Sequence, residues 1–359
     1  MASSLRATID GCSLVWRNEP PDLDPAALSD IQWRADACTP GSVLCFQRFD
    51  DGRSDAEIVD RYLADSRFGA LVINRELDCM DRLRERAVYV VASGAWGATL
   101  QRLCDHFFAV SPDDWLIAGV TGTNGKTTTV KYLESMLLAE GRRVLSIGTL
   151  GLSLNGEALA ATGFTSPPYI ELRRILNDYR DRADTLVMEV SSHALHQQRV
   201  YGLRFAAAAW TNFSQDHLDY HGDEASYFAA KALLLSQLWD GVPLATTSPD
   251  VARRLRAADP DVPLELLATP ALDATILTER PFLALAYNRA NYALARDMAT
   301  RLLDAPPAAP WRALTPVDGR FECRVHGHRT IVVDFAHTPD ALDNVLAAIR
   351  EAFPNAGVI

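Results

Sequence analysis

The segment Ile117 to Thr129, IAGVTGTNGKTTT, constrains this chain most. A short apolar run delivers a glycine-rich loop straight into a Lys-Thr-Thr helix start, the strand-loop-helix order of a phosphate-binding unit. Gly122 and Gly125 let the backbone curl, so that successive N–H groups and the positive end of the following helix face phosphate oxygens. Lys126 then reaches the terminal phosphates of a nucleotide triphosphate, and Thr127 offers a hydroxyl to Mg²⁺. The spacing departs from the common G-x-x-x-x-G-K-[ST] pattern, because Val120 stands five positions before Gly125. A ligand-free glycine turn is the alternative reading. Context favours the phosphate loop: Val130, Leu133, Met136 and Leu137 recur at helical spacing, Gly141 ends the helix, and Val144 to Ile147 restarts a strand.

At 359 residues the chain is expected to form two or three α/β domains. Residues 1–111 carry strand-like runs at Ser42 to Phe46, Ala70 to Ile73 and Val88 to Val91, with a helical stretch from Asp55 to Asp65. Pro112-Asp113-Asp114 marks a boundary. Over 112–316, the apolar runs Leu186 to Val190 and Ala206 to Trp210 each lead into polar residues, which the carboxyl edge of a parallel sheet would gather near the phosphate loop. Ala305 to Pro310 is a stiff connector. In 317–359, Thr330 to Asp334 reads as a strand, Asp340 to Phe353 as a helix, and Gly357 to Ile359 as a strand beginning. Such a piece is too small to bury a core. The Ala-rich stretches Ala158 to Ala161 and Ala206 to Ala209 read as core or turn material.

The six cysteines form no C-x-x-C pair and read as reduced thiols. A formal net charge of -11 with no basic tract argues against nucleic acid as the main partner. No apolar run is long enough for a membrane span, no signal peptide is recognisable, and the cytoplasm is the expected compartment.

Two further constellations follow strand-like runs. Glu189 closes Leu186-Val187-Met188 and opens EVSSHALHQQRV, where its carboxylate is placed to hold Mg²⁺ beside a triphosphate. By itself it also reads as a solvated strand end. Thr211 to Lys231, TNFSQDHLDYHGDEASYFAAK, is dense in Asp and His. A capped turn before a helix from Glu224 to Leu238 explains Asp223 but leaves His217 unexplained. Lys231 falls between Ala229-Ala230 and Ala232-Leu233, where an unpaired ammonium is costly.

With these residues in order along the chain (GTNGKTTT, EVSSHAL, DHLDYHGD with Lys231, Asn288 with Asn291, Gly319-Arg320, and DFAHTPDAL from Asp334), the sequence closely resembles the Mur ligases, nearest those that add the third peptide residue. The resemblance implies a three-domain architecture: a small N-terminal α/β domain for a UDP-sugar-like acid, a central P-loop ATPase-like parallel sheet with helices on both faces, and a truncated C-terminal Rossmann-like domain. It implies ATP-dependent amide formation, in which a substrate carboxylate becomes an acyl phosphate that an amino-acid amine attacks. Gly122, Thr123, Asn124, Gly125, Lys126, Thr127, Thr128, Asn288, Asn291 and Arg320 match ATP contacts. Thr127 and Glu189 match ligands of one Mg²⁺ and His217 of a second. The lysine at Lys231 is carbamylated by CO₂ in the family. Thr165, Ser166, Ser191, Gln197 and Arg199 match contacts to the muramoyl peptide. Lys126, Glu189, His217 and Lys231 thereby form the implied catalytic set.

Three departures bear on the substrates. Arg34-Ala35-Asp36 stands where the family has the Asp-Ser-Arg that helps hold the uridine nucleotide, and Phe164 replaces an asparagine beside the threonine pair. The stretch between Lys231 and Asn288 is short, which predicts a trimmed sheet edge. The third domain lacks its Asp-Asn-Pro-Arg segment. The sequence therefore leaves open a muramoyl-peptide ligase acting as a monomer, a ligase of a specialised pathway with a different acid, an ATP-binding subunit whose partner supplies the remaining domain, and an unrelated phosphate-loop NTPase.

Overall fold

A computed structural model describes residues 4–64 and 67–357. The chain divides into two units: Met1–Asp114 with Pro167–Arg180 and Gln198–Gly202, and Trp115–Ser166 with Asp181–Gln197 and Leu203–Ile359.

The first unit holds a five-stranded sheet of β1 (Leu14–Asn18), β2 (Asp30–Gln32), β3 (Ser42–Phe46), β4 (Ala70–Ile73) and β5 (Ala87–Val91), in the order β1-β5-β4-β3-β2. All neighbours are parallel except β1 with β5. β4 and β5 are buried along their whole length, as strands covered on both faces must be. Val43, Val72 and Tyr89 pack with Leu100 and Leu103 of the helix Trp96–Phe107, while the alternating Leu44, Leu71 and Val88 pack with Ile58 and Leu63. The stretch expected as one helix from Asp55 is α-helical only over Asp55–Ile58 and widens into a π turn over Val59–Leu63; Asp65 lies outside the described residues.

The second unit is built on β6 (Leu116–Thr121), β7 (Val144–Gly148), β8 (Gly151–Leu154), β9 (Glu157–Ala160), β10 (Thr185–Glu189), β11 (Phe205–Trp210), β12 (Leu244–Thr246) and β13 (Leu264–Leu266), in the order β13-β12-β11-β6-β10-β7-β8-β9. From β13 to β7 the neighbours are parallel; β8 and β9 add antiparallel edge strands. Ala118, Val120, Ala207 and Ala209 pack against Val130, Leu133, Leu294 and Met298 of the helices Lys126–Ala139 and Ala286–Leu303. The alternate residues Ile117, Ala208 and Trp210 are buried too, so both faces are covered.

The stretch at Ala158 to Ala161 is neither core nor turn. It lies largely in β9, whose four residues are all exposed, because the turn at Asn155-Gly156 brings an edge strand back along β8 by backbone pairing alone. The helix expected from Glu224 to Leu238 ends at Ala232 and tightens into a 3₁₀ turn over Leu233–Gln237. After the 305–310 connector, β14 (Glu322–His326) and β15 (Arg329–Val333) form an antiparallel pair, followed by the helix Pro339–Ala352. Of that helix only Ala348 is buried, and Val325, Ile331, Leu342 and Leu346 are exposed. Gly357 is in no strand, and Val358 and Ile359 lie outside the described residues.

Candidate active site

The carboxyl ends of the adjacent parallel strands β7, β10, β6 and β11 open onto one cavity of about 340 Å³, within the range of small-molecule sites. Residues just beyond each strand line it: Thr149 after β7, Ser191 after β10, Asn212 after β11, and the loop from Thr123 to Thr128 after β6. Arg320, Asp334 and His337 close it from the 317–357 segment. The convergence expected from the apolar runs is thus present.

The loop depends on its glycines. Gly122 has φ 142° and Gly125, the cap of the helix, φ 84°, both in the region that side chains disfavour. A Cβ at Gly122 would stand 1.9 Å from the Thr211 hydroxyl, and one at Gly125 would stand 2.6 Å from Asn291 Oδ1. Thr123 Oγ1 donates to the Ser214 carbonyl, and the Asn124 side chain donates to Asp340 Oδ2 at 3.3 Å. Thr128 is buried on the cavity wall.

Two ammonium groups meet at one carbonyl. Lys126 Nζ donates to the Gly122 and Thr123 carbonyls, each at 2.8 Å, and Lys231 Nζ donates to the same Gly122 carbonyl at 2.9 Å. Lys231 is 1% exposed and lies 4.6 Å from the centre of the Tyr227 ring. Burial holds its pKa well below the ordinary value, Lys126 pushes the same way, and Asp216 opposes. Burial also lowers the pKa of Lys126, against Glu189 and Asp216. Neither lysine has an ion pair among the described residues, although Glu189, Asp216 and Asp334 line the same cavity.

Glu189, 1% exposed, accepts from the Thr127 hydroxyl at 2.9 Å, from the Thr149 N–H at 2.7 Å and from the Thr149 hydroxyl at 3.2 Å. Arg320 donates to Thr127 Oγ1 at 3.1 Å. A solvated strand end does not describe Glu189. Thr165 Oγ1 lies 3.2 Å from Thr149 Oγ1, while Ser166 Oγ donates to the Glu189 carbonyl at 2.9 Å and accepts from the Ser191 N–H at 3.0 Å. His217 sits in a left-handed turn at φ 51°, 3.4 Å from Asp216. Burial keeps it below the ordinary histidine pKa, which favours a neutral ring with a lone pair to offer.

Other positions fall elsewhere. Asn291 lines the cavity, but the buried Asn288 donates to the Phe282 carbonyl at 2.9 Å and does not line it. Gln197 donates to the Tyr220 hydroxyl at 3.0 Å and is also off the wall. Arg199 belongs to the 198–202 segment of the first unit. Thr149, Asn212 and Tyr287 line the cavity without having been singled out by sequence. For the first two, their place just beyond a strand's carboxyl end was the available signal.

A hydroxyl and a carboxylate 2.9 Å apart are hard oxygen donors that suit Mg²⁺. Among the described residues no group of three or more His, Cys, Asp or Glu could hold a metal. No helix among the described residues is long and apolar enough to cross a membrane.

Residues 120–260 match the Mur ligase middle domain. The chain is 36% identical over 271 residues to the UDP-N-acetylmuramoyl-L-alanyl-D-glutamate–2,6-diaminopimelate ligase of Aquifex aeolicus, covering 68% of this chain and 55% of that protein. It is 33% identical over 389 residues to the ligase of the same name from Chromobacterium violaceum, covering 94% of this chain and 74% of that one. Over the first of these relatives the chain spans about half their length, 55% and 57% in two of them. Among solved structures, a UDP-N-acetylmuramoyl-L-alanyl-D-glutamate–2,6-diaminopimelate ligase aligns with TM-score 0.63 at 20% identity, over 90% of this chain and 70% of that one. The MurF ligase from Thermotoga maritima in complex with ADP aligns with TM-score 0.54 at 16% identity, over 91% and 75%. Both likenesses concern the fold.

Proposed function

The chain belongs to the Mur ligase family, and from that premise we propose that its cavity is the donor half of an ATP-dependent amide ligase, joining a carboxylic acid to an amino acid as in the muramoyl-peptide synthesis of peptidoglycan. The observation that carries this reading is the pair of lysine side chains, Lys231 buried and Lys126 half-buried, that share the Gly122 carbonyl. Such an arrangement is relieved by an anion, and a triphosphate on the loop supplies one.

Lys126 would leave its loop carbonyls for the terminal phosphates. Thr127 and Glu189 would hold one Mg²⁺, with Arg320 turning from Thr127 Oγ1 to phosphate; His217 would hold a second. The ions supply charge neutralisation along the phosphates. Thr165 and Ser191, which line the cavity, would meet the acid's carboxylate beside the γ-phosphate, while the buried Ser166, off the cavity wall, would hold Ser191 in place. Lys231, whose pKa burial holds well below the ordinary value, loses a proton more readily than an exposed lysine and is suited to add to CO₂ as the amine, and the resulting carbamate would give Lys126 and the metal region an anionic partner. Positioning and electrostatics then provide most of the catalysis.

The test is ATP-dependent phosphate release from the purified protein with UDP-N-acetylmuramoyl-L-alanyl-D-glutamate and an amino acid. A panel of other acids and amines follows. Release that requires both an acid and an amine supports the reading; no release with any pair sinks it.

Two observations favour variants of this reading. The Arg34 guanidinium donates to Asp36 Oδ1 at 2.9 Å, so the segment that departs from the family pattern pairs with itself. Turnover with a non-UDP acid alone would assign the chain to a specialised pathway. Leu342 and Leu346, exposed one turn apart on the helix Pro339–Ala352, offer apolar surface to further polypeptide. Tight ATP binding without turnover until a separate protein is added would support a nucleotide-binding subunit.

A further inference from the structure

Tyr287 stands at the second position of the helix Ala286–Leu303 and lines the cavity with Asn291, Arg320 and Asp334. Its side chain is half-buried, yet its hydroxyl is shut off from solvent and has no hydrogen-bond partner among the described residues. Buried hydroxyls are ordinarily partnered, because an unmade bond leaves the cost of desolvation uncompensated. Two other hydroxyls of this unit share that condition, Thr121 and Ser214, but neither lines the cavity. Burial, with Asp334 and Cys323 adding to it, raises the phenol pKa, so the group remains protonated and able to donate.

We propose that the Tyr287 ring shifts when the nucleotide enters this cavity and that its hydroxyl then donates a hydrogen bond to a nucleotide oxygen. The missing partner is the ligand itself: Asn291 packs on the phosphate loop at Gly125, Arg320 reaches Thr127, and Tyr287 lies on the same wall. Tyr287 is thus a binding residue that fixes the nucleotide between the loop and the 317–357 segment. This inference rests on the ATP reading above.

The experiment compares wild type and Tyr287→Phe for binding of a non-hydrolysable ATP analogue with Mg²⁺, by calorimetry, and for ligand-free thermal stability. Phenylalanine keeps the ring and removes only the hydroxyl. The expected result is an affinity about three- to tenfold weaker, the size of one hydrogen bond. The ligand-free Tm should be unchanged or higher, since an unpartnered buried hydroxyl is removed. Equal affinity in both proteins overturns the inference and leaves the ATP reading standing. Weaker binding accompanied by a lower ligand-free Tm also overturns it, by making the hydroxyl structural. Wild-type protein that binds no analogue overturns the ATP reading, and this inference with it.

Discussion

In the first unit the Arg48 guanidinium, 3% exposed, meets Asp55 Oδ1 at 3.1 Å and Asp51 at 3.1 Å, and Asp55 also takes Arg75 at 3.1 Å and the Asp78 N–H at 3.0 Å. In the second unit the hydrogen bonds of Lys126 and Lys231 go to backbone carbonyls. Both arrangements sit at the carboxyl edge of a parallel sheet, yet one balances its charges internally and the other leaves them for something else to balance. A closed network is a device for holding loops. Cations without anions cost stability, and they are kept where a ligand repays that cost.

The largest expected effect breaks the comparison on the second side. Lys231→Met should lower ligase turnover about a thousandfold, the scale of a lost electrostatic group in an active site. The ligand-free protein in CO₂-depleted buffer should be no less stable, since a buried unpaired amine has been replaced by an apolar chain. Turnover unaffected by the change would remove Lys231 from the mechanism. Asp55→Ala breaks the first side: it removes the buried carboxylate shared by Arg48 and Arg75, leaves Arg48 only Asp51, and should cost about 3 kcal/mol in urea unfolding, the low end for a broken buried pair. A loss below about 1 kcal/mol would mean that water compensates Arg48. Glu189→Gln should reduce turnover by about a hundredfold, the lower end for a lost charged group, and raise the Mg²⁺ concentration needed. Unchanged Mg²⁺ dependence would place the ion elsewhere.

The smallest effect, in pH, has the same sign in the two units but falls in different windows, alkaline for Lys231 and acid for Asp55. Lys231 has its folded pKa well below the ordinary 10.5. The unfolded chain therefore binds more protons across that window, and ligand-free stability should rise with pH up to about 10.5. Asp55 is raised by burial but lowered by more through the Asp78 N–H, Arg48 and Arg75, to a net value below the ordinary 3.8. Its contribution is complete above that value and lost as pH falls through the lower folded one. Thermal melts of Lys231→Met should lose the alkaline rise and keep the acid decline. A profile identical to wild type would show that Lys231 is not the group being titrated.

Much of the site was legible because parallel sheets write themselves plainly. Strands buried on both faces read as unbroken apolar runs, and the residues after them, Gly122 to Thr128, Glu189 and Ser191, fall at the ligand edge as a matter of topology. The edge strands were not legible: β1 alternates, β2 has three residues, and β9 is exposed and held by backbone bonds that carry no side-chain signature. Asn288 and Gln197 shared the motif pattern with Asn291 and Ser191, yet their side chains turn to Phe282 and Tyr220. Direction along a helix or turn is set by packing rather than by spacing.

The sequence by itself determined the phosphate loop, the alternation that builds the parallel sheet, and the costly placement of Lys231 in an apolar helix, because periodicity and chemistry are local properties. Only the tertiary structure decided that Lys126 and Lys231 share one carbonyl, that Glu189 is buried against Thr127 and Thr149, and that the buried Tyr287 hydroxyl on the cavity wall has no partner among the described residues. Those facts depend on chain segments as much as 109 residues apart meeting at one point, and no local pattern records which buried charge will be left unmatched when they do.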